Sequence, residues 1–152
     1  MKTSLESLKL CIEKLIELLE CQGKIEIDTS LDPIRVIVTT KTDSRHLIGV
    51  QGQHLRALQH LCRSIVRKQL GEDVLFVLDI NGYRAQHEES VRALAEQIAR
   101  QATHSGRTIA MRPMSPSDRR LIHTALAERS DIRTESLGEE PNRRVIIRPV
   151  FL

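Results

Sequence analysis

The segment that most constrains the fold holds two glycines, Gly49 and Gly52, between an apolar pair and a long amphipathic helix pattern. Glycine tolerates left-handed backbone angles and lets another group approach the backbone closely. A helix that begins directly after such a turn adds exposed amide donors and the positive end of its dipole. Residues 49–52, called the glycine loop below, therefore predict a site where backbone amides receive a phosphate.

The hydrophobic pattern around the glycine loop predicts an α-β-β-α-α-β order. Apolar residues at helical spacing indicate helices, and alternating apolar residues indicate strands. The last strand is apolar throughout, which is typical of a buried central strand. The predicted elements are helices over 3–21 (ended by Gly23), 43–48 and 53–70, and strands over 25–27, 34–39 and 74–78.

The second half of the chain predicts an α-β-α-β-β order, which makes the whole chain an α/β protein of the α+β type. Ser115 as N-cap, Pro116 at the first helical position and Asp118 two residues later mark a helix start. No long linker separates the halves, so the first long helix is expected to join them directly. The predicted elements are helices over 83–104 and 116–129 and strands over 108–111, 132–137 and 143–150.

Composition and charge narrow the class of ligand. Aromatic residues make up 2% of the chain, which excludes a binding surface built on stacked aromatic rings. The formal net charge is +3, and every basic residue after position 80 is an arginine. Arginine offers a planar fork of donors suited to phosphates and base faces. These features favour a polyanionic partner, with ordinary solvated helix faces as the alternative.

No pattern in the sequence indicates a metal, a cofactor or a membrane. Cys11, Cys21 and Cys62 are scattered, which predicts reduced thiols in a cytoplasmic protein. The longest apolar run is far too short for a membrane span. We therefore expect no bound cofactor and no membrane insertion.

The sequence does not indicate catalysis. Ser115, Asp118 and His123 could be drawn as a hydrolytic trio, but one helix cannot aim all three as such chemistry requires. The first two are explained by the helix cap. No nucleotide-binding fingerprint is present, so a non-catalytic protein is expected.

Two groups of residues are candidate nucleic-acid contacts. Around the glycine loop, the backbone would receive a phosphate, an aliphatic side chain would touch a base, and two arginines would add charge. In the second half, Arg119 and His123 stand four residues apart on one helix face, and two strand arginines flank them; a solvated surface pair is the alternative. The candidates are Arg45, Ile48, Gly49, Val50, Gln51, Gly52, Gln53, Arg56, Arg119, His123, Arg144 and Arg148.

The element order with Ile48-Gly49-Val50-Gln51-Gly52 resembles the bacterial, type II-like KH domain, over residues 1–81. The second half, residues 82–152, resembles the R-3-H domain, named for an Arg-x-x-x-His that Arg119 and His123 match. The two together resemble the Jag (SpoIIIJ-associated) family. Many KH loops carry a basic residue between the glycines, where this chain has valine and glutamine.

The resemblance implies what the chain does. It implies binding of single-stranded RNA, with single-stranded DNA as the alternative, and post-transcriptional regulation linked to bacterial cell elongation and division. It also implies a homodimer, or a heterodimer with a small single-KH protein. The competing hypothesis is a protein-interaction adaptor whose KH half dimerises. Many family members begin with an additional N-terminal domain that these residues do not match, so functions of that domain are not expected of them.

Overall fold

A computed structural model shows a mixture of helices and strands, which confirms the α+β class. It describes residues 2–41, 43–71 and 73–150, with side chains from Ser4 onward. The chain divides into two compact units, Met1–Arg84 and Ala85–Leu152. Within the described ranges, no helix combines the length and the apolar character needed to cross a membrane.

The first unit has the predicted α-β-β-α-α-β order. The elements are α1 (Lys2–Leu18), β1 (Gly23–Asp28), β2 (Ile34–Thr40), α2 (Arg45–Ile48), a 3-10 turn (Val50–Gly52), α3 (Gln53–Leu70) and β3 (Phe76–Ile80). β1 and β2 pair antiparallel, β2 and β3 pair parallel, and β2 lies in the centre of the sheet.

The third strand of this unit was predicted wrongly in both position and role. It runs over Phe76–Ile80 rather than 74–78 and lies at an edge of the sheet. The parallel register pairs Ile34, the first residue of β2, with Phe76. β2 therefore offers no ladder partner to the two preceding apolar residues, and Leu75 is 56% exposed.

The first helix ends earlier than predicted, and Gly23 does not end it. Glu20 adopts a left-handed φ of 58°. Its N–H donates to the carbonyl of Glu17 at 2.9 Å, and the N–H of Cys21 donates to that of Ile16 at 3.0 Å. These two bonds form the pattern that closes many helices at a left-handed residue, and Gly23 becomes the first residue of β1.

The core of the first unit is aliphatic, with buried cysteines among its members. Leu8 and Ile12 of α1 and Leu55 and Cys62 of α3 are buried in one cluster with the inward residues of the sheet. Burial raises the pKa of Cys62 to about 12. All three cysteines are free thiols, as predicted.

The second unit has the predicted α-β-α-β-β order. The elements are α4 (Tyr83–Ser105, whose first two residues belong to the first unit), β4 (Ile109–Ala110), α5 (Pro116–Ala125), β5 (Ile132–Leu137) and β6 (Arg144–Pro149). The sheet is antiparallel with the order β4-β6-β5, and alanines of α4 pack in the core with residues of α5, β5 and β6. The predicted end of the second helix at 129 is wrong, because Leu126 leaves helical geometry with a ψ of 2°.

Candidate nucleic-acid interface

The glycine loop has left-handed backbone angles at three of its four residues. The φ values are 70° at Gly49, 51° at Gln51 and 72° at Gly52. A Cβ built on Gly49 would lie 2.5 Å from Cγ of His54, and one on Gly52 would lie 2.9 Å from Cε1 of Tyr83. Glycine is therefore required at both positions for two reasons: the backbone angle favours glycine, and a Cβ would overlap the neighbouring ring.

Two of the backbone amides in and directly after this loop bond internally, and two others form no such bond among the described residues. The N–H of Gly52 donates to the carbonyl of Gly49 at 3.2 Å, and that of Gln53 donates to Val50. Among the described residues, the amides of Val50 and Gln51 have no backbone acceptor. Val50 and Gln51 lie in a 3-10 turn in which Gln51 is left-handed, and successive N–H groups in a turn of this kind form the concave amide nest that binds anions.

Side chains from the following helix brace the glycine loop. Nδ1 of His54 lies 2.7 Å from the carbonyl oxygen of His46, and a guanidinium nitrogen of Arg56 donates to the carbonyl of Gln51 at 2.8 Å. The side chain of Val50 is 76% exposed at the tip. Arg56 is brought to the loop as predicted, whereas the bracing role of His54 was missed, because no local pattern distinguishes it from a solvated histidine.

Arg45 lies next to the loop, but its guanidinium forms an ion pair with Asp43. Its Nε donates to Asp43 at 2.8 Å and 2.9 Å, and a terminal nitrogen donates at 2.5 Å. Hydrogen bonds from the Arg45 side chain and backbone lower the pKa of Asp43 to about 2. The pair is exposed and nearly neutral, so Arg45 contributes less positive charge than the sequence suggests.

Arg119 of the second unit is buried and bonded within the unit. Its side chain is 9% exposed. One terminal nitrogen donates to the carbonyl of Met114 at 2.9 Å, and the other donates to a carboxylate oxygen of Glu140 at 2.7 Å. The guanidinium thus joins the segment before α5 to the turn between β5 and β6.

His123 is also engaged within the unit. Nδ1 lies 2.7 Å from the hydroxyl of Thr134, and Nε2 lies 2.8 Å from the hydroxyl of Ser136. Burial, with a smaller contribution from Arg119, lowers the pKa of His123, which favours the neutral imidazole. The structure places Arg119 and His123 near each other, as predicted, and both side chains fasten α5 to its surroundings.

The residues that could be drawn as a hydrolytic trio do not converge. The N–H of Asp118 donates to the Ser115 hydroxyl at 3.2 Å, which is the predicted helix cap. A carboxylate oxygen of Asp118 lies 2.9 Å from Nε2 of His87, on α4, and His123 bonds to β5 instead. Within the described ranges, no group of three or more His, Cys, Asp and Glu side chains is arranged to hold a metal ion.

The comparison with family models decides the nature of the second unit. Residues 89–149 match the model of the R-3-H domain. The C-terminal part of the chain is an R-3-H domain. Its match covers α5, which carries Arg119 and His123, and strand β6, which carries Arg144 and Arg148.

Proteins named RNA-binding protein KhpB, of the Jag family, are similar to this chain. The relative from Clostridium symbiosum is 40% identical over 66% of this chain and 46% of its own length. The one from Lactiplantibacillus plantarum is 34% identical over 66% of this chain and 31% of its own length. That from Bacillus subtilis is 28% identical over 94% of this chain and 69% of its own length.

These relatives confirm the resemblance to the Jag family that the sequence predicts. The chain spans about half the length of the first relative and about a third of the second. The assignment of residues 1–81 to a KH domain agrees with the element order and stays a prediction.

Proposed function

We propose that this chain binds single-stranded RNA and catalyses no reaction. The observation that carries the proposal is the glycine loop, where the amides of Val50 and Gln51 form a nest that has no acceptor in the part of the chain that the structure describes. The similar proteins are named for RNA binding, and the chain contains an R-3-H domain. On this proposal residues 1–81 are a KH domain and residues 82–152 are the R-3-H domain.

In the proposed complex, the glycine loop receives a phosphate and the groups around it contact the nucleotide. Ile48, half-buried, and Val50, exposed, offer aliphatic contact to a base. Gln53 stands at the start of α3, and Arg56 already reaches the loop. Binding by aliphatic and backbone groups suits a chain that is poor in aromatic residues.

The R-3-H domain supplies the second contact with the strand. In the proposal, Arg119 and His123 support that contact, and Arg144 and Arg148 of β6 flank it. Two weak sites on one chain raise the overall affinity through effective concentration, provided that one strand spans both. RNA is proposed over DNA on the names of the relatives, and a matched DNA strand in the binding assay separates the two.

The finer biological role follows from the family resemblance. The proposal places the chain in the cytoplasm of a bacterium, as a post-transcriptional regulator linked to cell elongation and division. Crosslinking in cells, followed by sequencing of the bound RNA, identifies the targets. Recovery of no RNA above a non-crosslinked control would contradict this role.

The decisive variant of the loop is Val50→Asp with Gln51→Asp. Two carboxylates would face the phosphate, so affinity for a single-stranded RNA should fall by at least tenfold, whereas the fold stays intact because Val50 is exposed. Fluorescence anisotropy at several salt concentrations measures this, and binding should weaken steeply with salt as counterions are released.

A matched control places the same two carboxylates elsewhere in the first unit. Gln69 and Leu75 are exposed, and Gln69 lies about 24 Å along α3 from its start. Gln69→Asp with Leu75→Asp should therefore bind RNA within about twofold of the parent, apart from a general charge effect. If both double variants bind alike, the glycine loop is not the phosphate site.

A second candidate function, protein interaction, is favoured by exposed leucines on two packed helices. Leu10 and Leu18 of α1 are 52% and 77% exposed, and Leu61 of α3 is 46% exposed. Leu10 and Ile65 line one groove between these helices. A homodimer, or a heterodimer with a small single-KH protein, would cover this surface, and a Leu10→Glu, Leu61→Glu variant examined by analytical ultracentrifugation tests it.

A further inference from the structure

The sheet of the R-3-H domain has an inward and an outward face. Ile132 and Val145 point inward and are buried in the core. Their neighbours along each strand alternate to the opposite side, and most of them are exposed. This outer sheet face consists of Arg133, Glu135 and Leu137 on β5 and of Arg144, Ile146 and Arg148 on β6.

A further arginine extends the outer sheet face beyond β4. The N–H of Met111 donates to the carbonyl of Val145 at 2.9 Å, so the antiparallel pairing continues and brings Arg112 opposite Arg144. Met111 is buried in the core and Arg112 is exposed, which places Arg112 on the outward side.

The fold leaves most of the positive charge on this face without a partner. Arg133 and Arg148 stand directly opposite each other, an arrangement that destabilises a sheet unless an anion binds it. Arg148 lies 3.2 Å from Glu135. Among the described residues, Arg112, Arg133 and Arg144 form no ion pair. The face therefore carries four arginines and a single glutamate.

The centre of the face is aliphatic. Ile146, half-buried, stands between Arg144 and Arg148 on the central strand, and Leu137, 39% exposed, pairs with Arg144. Guanidinium planes bind phosphates and stack on unpaired bases. Charge around an aliphatic centre thus matches the backbone and the bases of a single strand.

We infer that the outer sheet face binds a segment of single-stranded RNA, with its arginines on phosphates and bases and with Ile146 beneath a base. This face shares Arg144 and Arg148 with the second contact proposed above, and it differs from the Arg119–His123 pair, whose side chains are engaged in hydrogen bonds within the unit. The inference rests on the proposed RNA-binding function and adds a surface to it.

The test removes the two arginines that are both unpaired and fully outward, by Arg112→Ala with Arg133→Ala in the full chain. Each phosphate contact to a single strand contributes about 0.7 to the salt slope. The slope of log affinity against log salt should therefore fall by about 1.4, and affinity at 0.1 M salt should drop roughly ten- to thirtyfold. Glu135→Gln should raise the affinity, because it removes the only acidic group of the face.

The matched control is Arg92→Ala with Arg100→Ala, since both residues are exposed on α4 and carry the same charge in the same unit. It should change affinity by less than about twofold. Thermal melting followed by circular dichroism verifies that every variant folds.

The outcomes separate the two proposals. A parent chain that binds no single-stranded RNA refutes the proposed function itself. A parent that binds, with the loop variant defective and the Arg112/Arg133 variant equal to the α4 control, refutes the outer sheet face alone. A loss in the Arg112/Arg133 variant that the α4 control does not show supports the face.

Discussion

The glycine loop and the Arg119–His123 pair are both short motifs, but they use their polar groups in opposite ways. In the loop, three residues have a positive φ and two amides have no backbone acceptor among the described residues. In the pair, Arg119 and His123 each form two hydrogen bonds within the unit. The glycine loop leaves backbone donors for a ligand, whereas the Arg119–His123 pair uses its side chains in hydrogen bonds that hold the fold.

The difference shows that a motif's chemistry does not reveal which groups remain accessible. Arginine and imidazole are good phosphate ligands in general. The side chain of Arg119, however, is 9% exposed and forms two hydrogen bonds within the unit, so it mainly positions other groups. Backbone amides carry no residue identity, but the geometry forced by glycine exposes them.

The largest expected effect is at Gly49. Gly49→Ala should lower the free energy of unfolding by about 2–6 kcal/mol, because the φ of 70° and ψ of 178° at Gly49 lie in a region that costs other residues about 1–3 kcal/mol, and the new Cβ meets the ring of His54. Gly71 is the control for a left-handed glycine without a close neighbour, since its φ is 71°, its ψ is 3° and nothing lies within 4 Å of an added Cβ. Gly71→Ala should cost only about 1–2 kcal/mol, measured by urea unfolding.

A second variant tests the stated reason for that loss. Adding His54→Ala to Gly49→Ala removes the ring that the new methyl group meets. The further loss on introducing Gly49→Ala should then fall to the backbone cost alone, about 1–3 kcal/mol. If Gly49→Ala and Gly71→Ala lower the free energy of unfolding of the parent equally, the ring of His54 does not pack closely against Gly49.

The next largest effect concerns the buried arginine. Arg119→Ala removes bonds to the carbonyl of Met114 and to Glu140, and should lower the free energy of unfolding by about 1–3 kcal/mol. Its neighbour Arg120 is exposed, and Arg120→Ala should change stability by less than about 0.5 kcal/mol. Chemical denaturation of both variants measures the contrast.

The RNA affinity of the same two variants sharpens the comparison. If Arg119 acts through the fold, the folded variant keeps a salt slope close to that of the parent. A stability like that of Arg120→Ala together with a slope lower by about 0.7 would instead mean that Arg119 touches a phosphate, as the sequence alone predicts.

The smallest expected effect tests the charge beside the glycine loop. Asp43→Asn should free the guanidinium of Arg45 while it keeps an oxygen to accept the Arg45 N–H, so RNA affinity should rise about fivefold at 0.1 M salt, as for one added phosphate contact. Asp73→Asn makes the same charge change beside Arg63, and is expected to have the weaker effect. Equal gains from both variants would show a general charge effect and no special role for Arg45.

Much of the local structure was predictable from local patterns. Helix α3 was predicted over its observed range because its apolar face repeats at helical spacing and Gly71 follows it. The cap at Ser115 and the range of β5 were also predicted correctly. The end of α1 was not, because Glu20 adopts a left-handed angle that glutamate does not signal.

The sequence by itself determined the order of the elements and the place of the glycine loop, because periodicity, caps and glycine act over a few neighbouring residues. Only the tertiary structure decided which polar groups are left for a ligand. Arg119 meets Glu140, 21 residues away, and His123 meets β5, and the outer sheet face exists only because the strand pairing aligns Arg133 with Arg148. Such partners are chosen by packing between distant segments, which no local pattern records.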